Sequence, residues 1–129
     1  MRLLIVRHAE AAPGTPDELR SLTPEGRERA RELGRQLRAG GIEADAVVSS
    51  PLLRARETAQ ALGLGEPEVD ERLAPGATPL DVRDAAAGRG TLVIVVGHQP
   101  DCSRAVAVLS SGDEPVFPPC AYALVELDE

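Results

Sequence analysis

The chain contains two histidines, and both stand directly behind apolar runs. His8 follows Leu3-Leu4-Ile5-Val6 and Arg7, and His98 follows Leu92-Val93-Ile94-Val95-Val96 and Gly97. A third run, Val47-Val48-Ser49-Ser50-Pro51, leads to Arg54. Short unbroken apolar runs read as buried strands, and in open α/β sheets ligands sit at the carboxyl ends of the strands. Three strands would therefore deliver an imidazole or a guanidinium to one sheet edge. Arginine's fork of donors fits phosphate oxygens, often two at a time. A histidine held among such donors can attack phosphorus, because neighbouring positive charge lowers its pKa and keeps the ring neutral at physiological pH. One histidine in such a place would be an ordinary packed or surface residue; two behind matching strands are harder to explain that way. A metal site is the other chemistry two histidines suggest. A dication beside fixed guanidiniums is electrostatically poor, and HExxH spacing is absent, so no metal is expected.

Composition narrows the function classes. A length of 129 residues is enough for one domain, taken as 1–129, with a single core. Phe117 and Tyr122 are the only aromatics, so that core must be aliphatic. The formal charge of −7 speaks against a nucleic-acid partner, which needs a basic surface, and stacking platforms for single strands are missing. Against an acidic background, a local group of arginines is informative. Cys102 and Cys120 lack the clustering of a zinc motif and read as two buried thiols in a reducing compartment. The four apolar residues after Met1-Arg2 are too few for a signal-peptide core. No run approaches the ~20 apolar residues of a membrane span. A cytoplasmic location without membrane attachment is expected.

The remaining elements must position that edge. The first strand ends near Arg7, and Ala11 to Asp17 is a loop rich in proline and glycine. Thr23-Pro24-Glu25 predicts a helix start, with Thr23 as cap, Pro24 at the first position and Glu25 complementing the dipole. Ala30, Leu33, Gly34 and Leu37 recur at helical spacing, and Gly40-Gly41 stops the helix. Its Arg27, Glu28, Arg31, Glu32 and Arg35 form the solvated face. Ala46 to Ser49 is a second strand. Ser50 is then expected to cap a helix with Pro51 at its first position, running to Leu62 before Gly63. That places Arg54 in the first turn, where a cation is unfavourable unless an anion binds nearby. Val69 to Leu73 reads as a short edge strand, and Leu80 to Ala87 as a weak helix ended by Gly88. Leu92 to Val96 is a central strand. After the Gly97-to-Pro100 turn comes a helix through Val106 and Leu109, and Ala121 to Leu127 alternates as a last strand.

Arg7-His8-Ala9, Ser49-Ser50-Pro51-Leu52-Leu53-Arg54-Ala55, Glu57-Thr58-Ala59 and Gly97-His98-Gln99-Pro100, taken in this order, resemble the motif set of the histidine phosphatase superfamily. The short chain and Asp17-Glu18-Leu19-Arg20-Ser21-Leu22-Thr23 resemble its SixA-type phosphohistidine phosphatase branch. The resemblance implies an α/β fold, with a mostly parallel central sheet flanked by helices on both faces. It implies a phosphatase in which His8 is the nucleophile of a phosphohistidine intermediate. Arg7, Arg54 and His98 would hold the phosphoryl oxygens, Arg20 would add a further contact, and no cofactor would be needed. The first motif has Ala9 where the superfamily has glycine. Only 43 residues lie between Arg54 and His98, which leaves little room for the lid that larger relatives insert there. The general acid stays open among Asp17, Glu10 and Glu71. A phosphoramidate leaves easily once its basic nitrogen is protonated, so weak acid assistance would suit phosphohistidine. The expected substrate is a phosphohistidine-bearing protein, reached through an open site. The alternatives are a small phosphorylated molecule, as for a phosphomonoesterase of the same superfamily, and a non-catalytic phosphate-binding interaction module.

Overall fold

The computed structural model describes residues 1–128; Glu129, the last residue of the expected domain, lies outside the described residues. Five strands form one sheet in the order β3-β2-β4-β1-β5. They are β1 (Arg2–Arg7), β2 (Ala46–Ser49), β3 (Pro67–Val69), β4 (Leu92–Gly97) and β5 (Tyr122–Glu126). Four pair in parallel, and β5 runs antiparallel along β1. The strands read as apolar runs because both faces of the sheet are covered. Leu4, Val6, Val47, Ile94 and Val96 point to one face, under α1 (Pro24–Ala39) and α2 (Leu53–Leu62). Leu3, Ile5, Val48, Val93 and Val95 point to the other, under α3 (Pro79–Ala86) and α4 (Asp101–Ser110). The expected α/β class with a mostly parallel, doubly covered sheet is the observed one.

Helix α1 starts where capping chemistry predicts. Thr23 Oγ1 accepts the Gly26 N–H at 2.9 Å, Pro24 occupies the first helical position, and Gly40 ends the helix. Its buried stripe is Ala30, Leu33, Gly34 and Leu37. Gly26 allows a close approach: a Cβ there would lie 2.2 Å from the Glu10 carbonyl oxygen. The helix start is thereby pressed against the loop that follows His8.

Two expectations need correction. Helix α2 begins at Leu53, with Leu52 as its N-cap and no side-chain cap bond. Ser50 does not cap it, because the helix starts three residues further on; its hydroxyl lies 2.7 Å from His98 Nε2 and accepts the Leu52 N–H at 3.2 Å in the turn ahead of the helix. The edge strand is Pro67–Val69, three residues long, and Glu71–Leu73 is instead a 3-10 turn. Asp70 ends the strand by turning its carboxylate onto the Arg72 N–H at 2.9 Å. The predicted weak helix is α3, opened by Thr78 and Asp81, whose side chains each accept the other's backbone N–H. Cys102 and Cys120 are free and buried, as expected. Among the described residues no helix is long and apolar enough to cross a membrane.

Candidate active site

The carboxyl ends of β1, β2 and β4 lie side by side, and the sheet's hydrogen bonding continues past them. The His8 N–H donates to the Gly97 carbonyl at 3.0 Å, and the His8 carbonyl accepts from Cys120 N at 3.2 Å. The His8 peptide is thus held from both flanks, by β4's end and by the segment entering β5. The Ser50 N–H donates to Val96 at 3.0 Å, which ties the β2 exit to β4 in the same way. Rigid strand ends of this kind hold reactive side chains more tightly than loops can.

His8 Nδ1 lies 2.7 Å from the Ala9 carbonyl oxygen. A carbonyl only accepts, so the bond requires the proton on Nδ1 and leaves the Nε2 lone pair free. Ala9 is fully buried, and its N–H donates to Thr58 Oγ1 at 3.0 Å. The Thr58 hydroxyl in turn donates to the Arg54 carbonyl at 2.8 Å, so Thr58 locks α2 to the turn after His8. Among the described residues the non-glycines with positive φ are Ser111 and Cys120. Ala9 therefore adopts backbone angles that need no glycine.

His98 stands 5.2 Å from His8, centroid to centroid, with the rings tilted by 58°. Its Nε2 is 2.7 Å from Ser50 Oγ, while its Nδ1 is buried with no partner. Both histidines are pushed below the ordinary value of 6.5. Burial is the first cause for each. For His8 the Ala9 bond opposes the shift, and Arg54, Arg7 and Arg20 add to it. His98 reaches about 3, with His8, Arg54 and Arg7 adding to burial and Asp17 opposing it. The sequence suggested positive neighbours as the reason for a neutral ring; desolvation outranks them.

The arginines come to the same place by different routes. Arg7 Nη1 donates to the Phe117 carbonyl at 3.0 Å, and its buried Nε has no partner. Arg54 is 7% exposed, unusually little for a guanidinium next to the positive end of a helix. Asp17 compensates: its carbonyl accepts Arg54 Nη1 at 2.9 Å, and its carboxylate accepts Nη2 at 3.2 Å. The other Asp17 oxygen accepts Arg20 Nη1 at 3.1 Å, and Arg20 Nε donates to Ala12. The 3-10 turn Asp17–Leu19 thereby connects both guanidiniums.

Of the candidate acids, Asp17 lies at the site. Hydrogen bonds from Arg20 and Arg54 hold its carboxyl below the usual carboxylate range, so it is ionised at neutral pH. Glu10 accepts the Thr23 hydroxyl at 2.8 Å beside the α1 start. Glu71 is exposed on the turn after β3. Three supports escaped sequence reasoning: Ser50, Thr58 and the Phe117 carbonyl. Ser50 and Thr58 stood within the recognised motifs, but a buried hydroxyl gives no periodic signal. Among the described residues no group of three or more His, Cys, Asp or Glu is placed to hold a metal.

Residues 3–75 match the model of the histidine phosphatase superfamily (branch 1). The chain is 35% identical to the phosphohistidine phosphatase SixA of Escherichia coli (strain K12), across all of this chain and 87% of that protein. It is 41% identical to the broad-specificity phosphatase YOR283W of Saccharomyces cerevisiae over 45% of this chain and 27% of that one. A solved structure of the protein histidine phosphatase SixA complexed with tungstate superposes with a TM-score of 0.89. It is 29% identical and covers 99% of this chain and 89% of the other.

Proposed function

The chain belongs to the histidine phosphatase superfamily and is a phosphatase of that type, and on that premise we propose that it removes the phosphoryl group from phosphohistidine in proteins. His8 Nε2 is the nucleophile. The observation that carries this assignment is the Nδ1 bond to Ala9 at 2.7 Å, which fixes the tautomer with a free Nε2 in the field of the Arg54, Arg7 and Arg20 guanidiniums. The lone pair of Nε2 forms a bond to phosphorus while the bond from phosphorus to the substrate imidazole nitrogen breaks. The electron pair departs with that nitrogen, which takes a proton from solvent. Water then attacks the phosphorus of phospho-His8. Inorganic phosphate is released, the water's proton goes to solvent, and His8 returns to its starting form.

Arg7, Arg54, Arg20 and His98 bind the phosphoryl oxygens, whose charge grows as the transferring group passes between nitrogens. Asp17 holds Arg54 and Arg20 and stays ionised, so it does not supply the proton. A solvent proton suffices for a leaving nitrogen as basic as that of an imidazole. A protein-borne substrate also fits the chain's economy. The stretch between Arg54 and His98 is taken up by α2, β3, the 71–73 turn, α3 and β4, all elements of the fold itself.

The test compares phosphate release from a phosphohistidine peptide, p-nitrophenyl phosphate, sugar phosphates and nucleotides, in excess chelator, for wild type and His8→Ala. Preference for the peptide, lost in the variant and unaffected by chelator, is the expected result. Faster turnover of sugar phosphates would assign a small-molecule phosphomonoesterase. Binding of phosphate without turnover of any substrate would assign a non-catalytic module.

A further inference from the structure

Ser50 is fully buried, and its Oγ lies 2.7 Å from His98 Nε2 and 3.2 Å from the Leu52 main-chain nitrogen. The Leu52 N–H can only donate, so it occupies one lone pair of the hydroxyl. The hydroxyl hydrogen must then find an acceptor, since a buried donor without one is destabilising. Among the described residues His98 Nε2 is the acceptor within its reach. The neighbouring Ser49 hydroxyl does not compete, because it donates to the Ser50 carbonyl at 2.7 Å.

A neutral imidazole has one proton to place, and the two placements differ here. With the proton on Nε2, His98 would donate to Ser50. That leaves the serine hydrogen unused and Nδ1 a bare buried lone pair, two unmet groups in one site. With the proton on Nδ1, Ser50 donates to Nε2 and a single group remains unmet, the Nδ1–H. That nitrogen is the one found buried without a partner. An unmet donor on a ring whose centroid lies 5.2 Å from that of His8 suits an anionic oxygen, whereas a bare lone pair would repel it.

We propose that Ser50 is a positioning residue that fixes the proton of His98 on Nδ1, so that Nδ1–H is the group presented to a phosphoryl oxygen. Burial supports this by keeping the ring uncharged in the free protein. The proposal rests on the phosphatase reading only for what Nδ1–H meets; the tautomer itself does not depend on it.

Long-range proton–nitrogen correlation spectra at neutral pH report the tautomer of each histidine, and His8→Gln assigns the two patterns. The expected wild-type pattern for His98 is a protonated Nδ1 and a bare Nε2. In Ser50→Ala the proton should shift towards Nε2, and orthovanadate should bind about tenfold more weakly, as for loss of one charge-assisted donor. Ser50→Thr, which keeps the hydroxyl, should restore both. A wild-type spectrum with the proton on Nε2 overturns the proposal even if no variant folds, and so does a Ser50→Ala spectrum unchanged from wild type. A wild type with Nδ1–H that neither binds vanadate nor releases phosphate would instead defeat the phosphatase reading and leave the tautomer standing.

Discussion

The ends of β1 and β4 are built alike and end up different. They are hydrogen-bonded neighbours with Arg7 opposite Gly97, and each releases a histidine one residue past the ladder. At β1 the ring is half-buried, Nδ1 is engaged by the Ala9 carbonyl, and Nε2 is free. At β4 the ring is 4% exposed, Nε2 is engaged by Ser50, and Nδ1 is unpaired. An apolar strand delivers the imidazole, but the partner of the first nitrogen decides what the second can do. A carbonyl partner leaves a lone pair, fit for a nucleophile. A hydroxyl that donates to Nε2 leaves a donor on Nδ1, fit for holding an oxygen.

The contrast is broken most directly by removing each ring. His8→Ala should lower the rate of phosphate release by about 10⁴-fold or more, the scale of losing a nucleophile. His98→Ala should lose about 10²–10³-fold, the scale of one oxyanion donor. Equal losses would erase the distinction in roles. An effect of the same size as at His98 is expected at Arg54, whose truncation should cost on the order of 3–4 kcal/mol in kcat/KM. Near-full activity of Arg54→Ala would remove that residue from the phosphoryl clamp.

The two histidines should also differ in their effect on stability in acid. His98 sits at about 3 in the fold against an ordinary 6.5, so the unfolded chain binds the extra proton across that window. Stability should therefore fall as pH drops from 6.5 towards 3, by on the order of 2–4 kcal/mol from this group. Denaturant melts of wild type and His98→Gln at pH 7 and pH 4.5 check it. The variant should lose less on acidification, and an identical loss would contradict the buried neutral ring. The smallest effect is expected at Asp17, whose replacement by Asn should slow phosphohistidine turnover by less than about tenfold. A general acid would cost 10²–10⁴-fold, most of all for substrates with poor leaving groups.

Much of this arrangement was legible in the residues. Contiguous β-branched and leucine runs gave β1 and β4, and Thr23-Pro24 gave the start of α1, because those signals are local. The misread places are those where a distant contact overrides a local one. Ser50-Pro51 has the form of a cap followed by a first helical residue, yet the hydroxyl answers to His98, 48 positions away. The edge strand was shifted because Glu68 and Val69 are exposed there and leave no apolar pattern to locate. The arginines and histidines of the site were visible as types behind strands. The role of Asp17 as a bracket between Arg54 and Arg20 was not, since it depends on how the 13–19 loop folds back.

A rapid-quench experiment with a ³²P-labelled phosphohistidine peptide tests the nucleophile most directly. The phosphohistidine mechanism predicts label on the enzyme within the first turnover, labile to acid, located at His8 and absent from His8→Ala. Phosphate released in a burst-free reaction, with no label on wild type and turnover retained by His8→Ala, would contradict it.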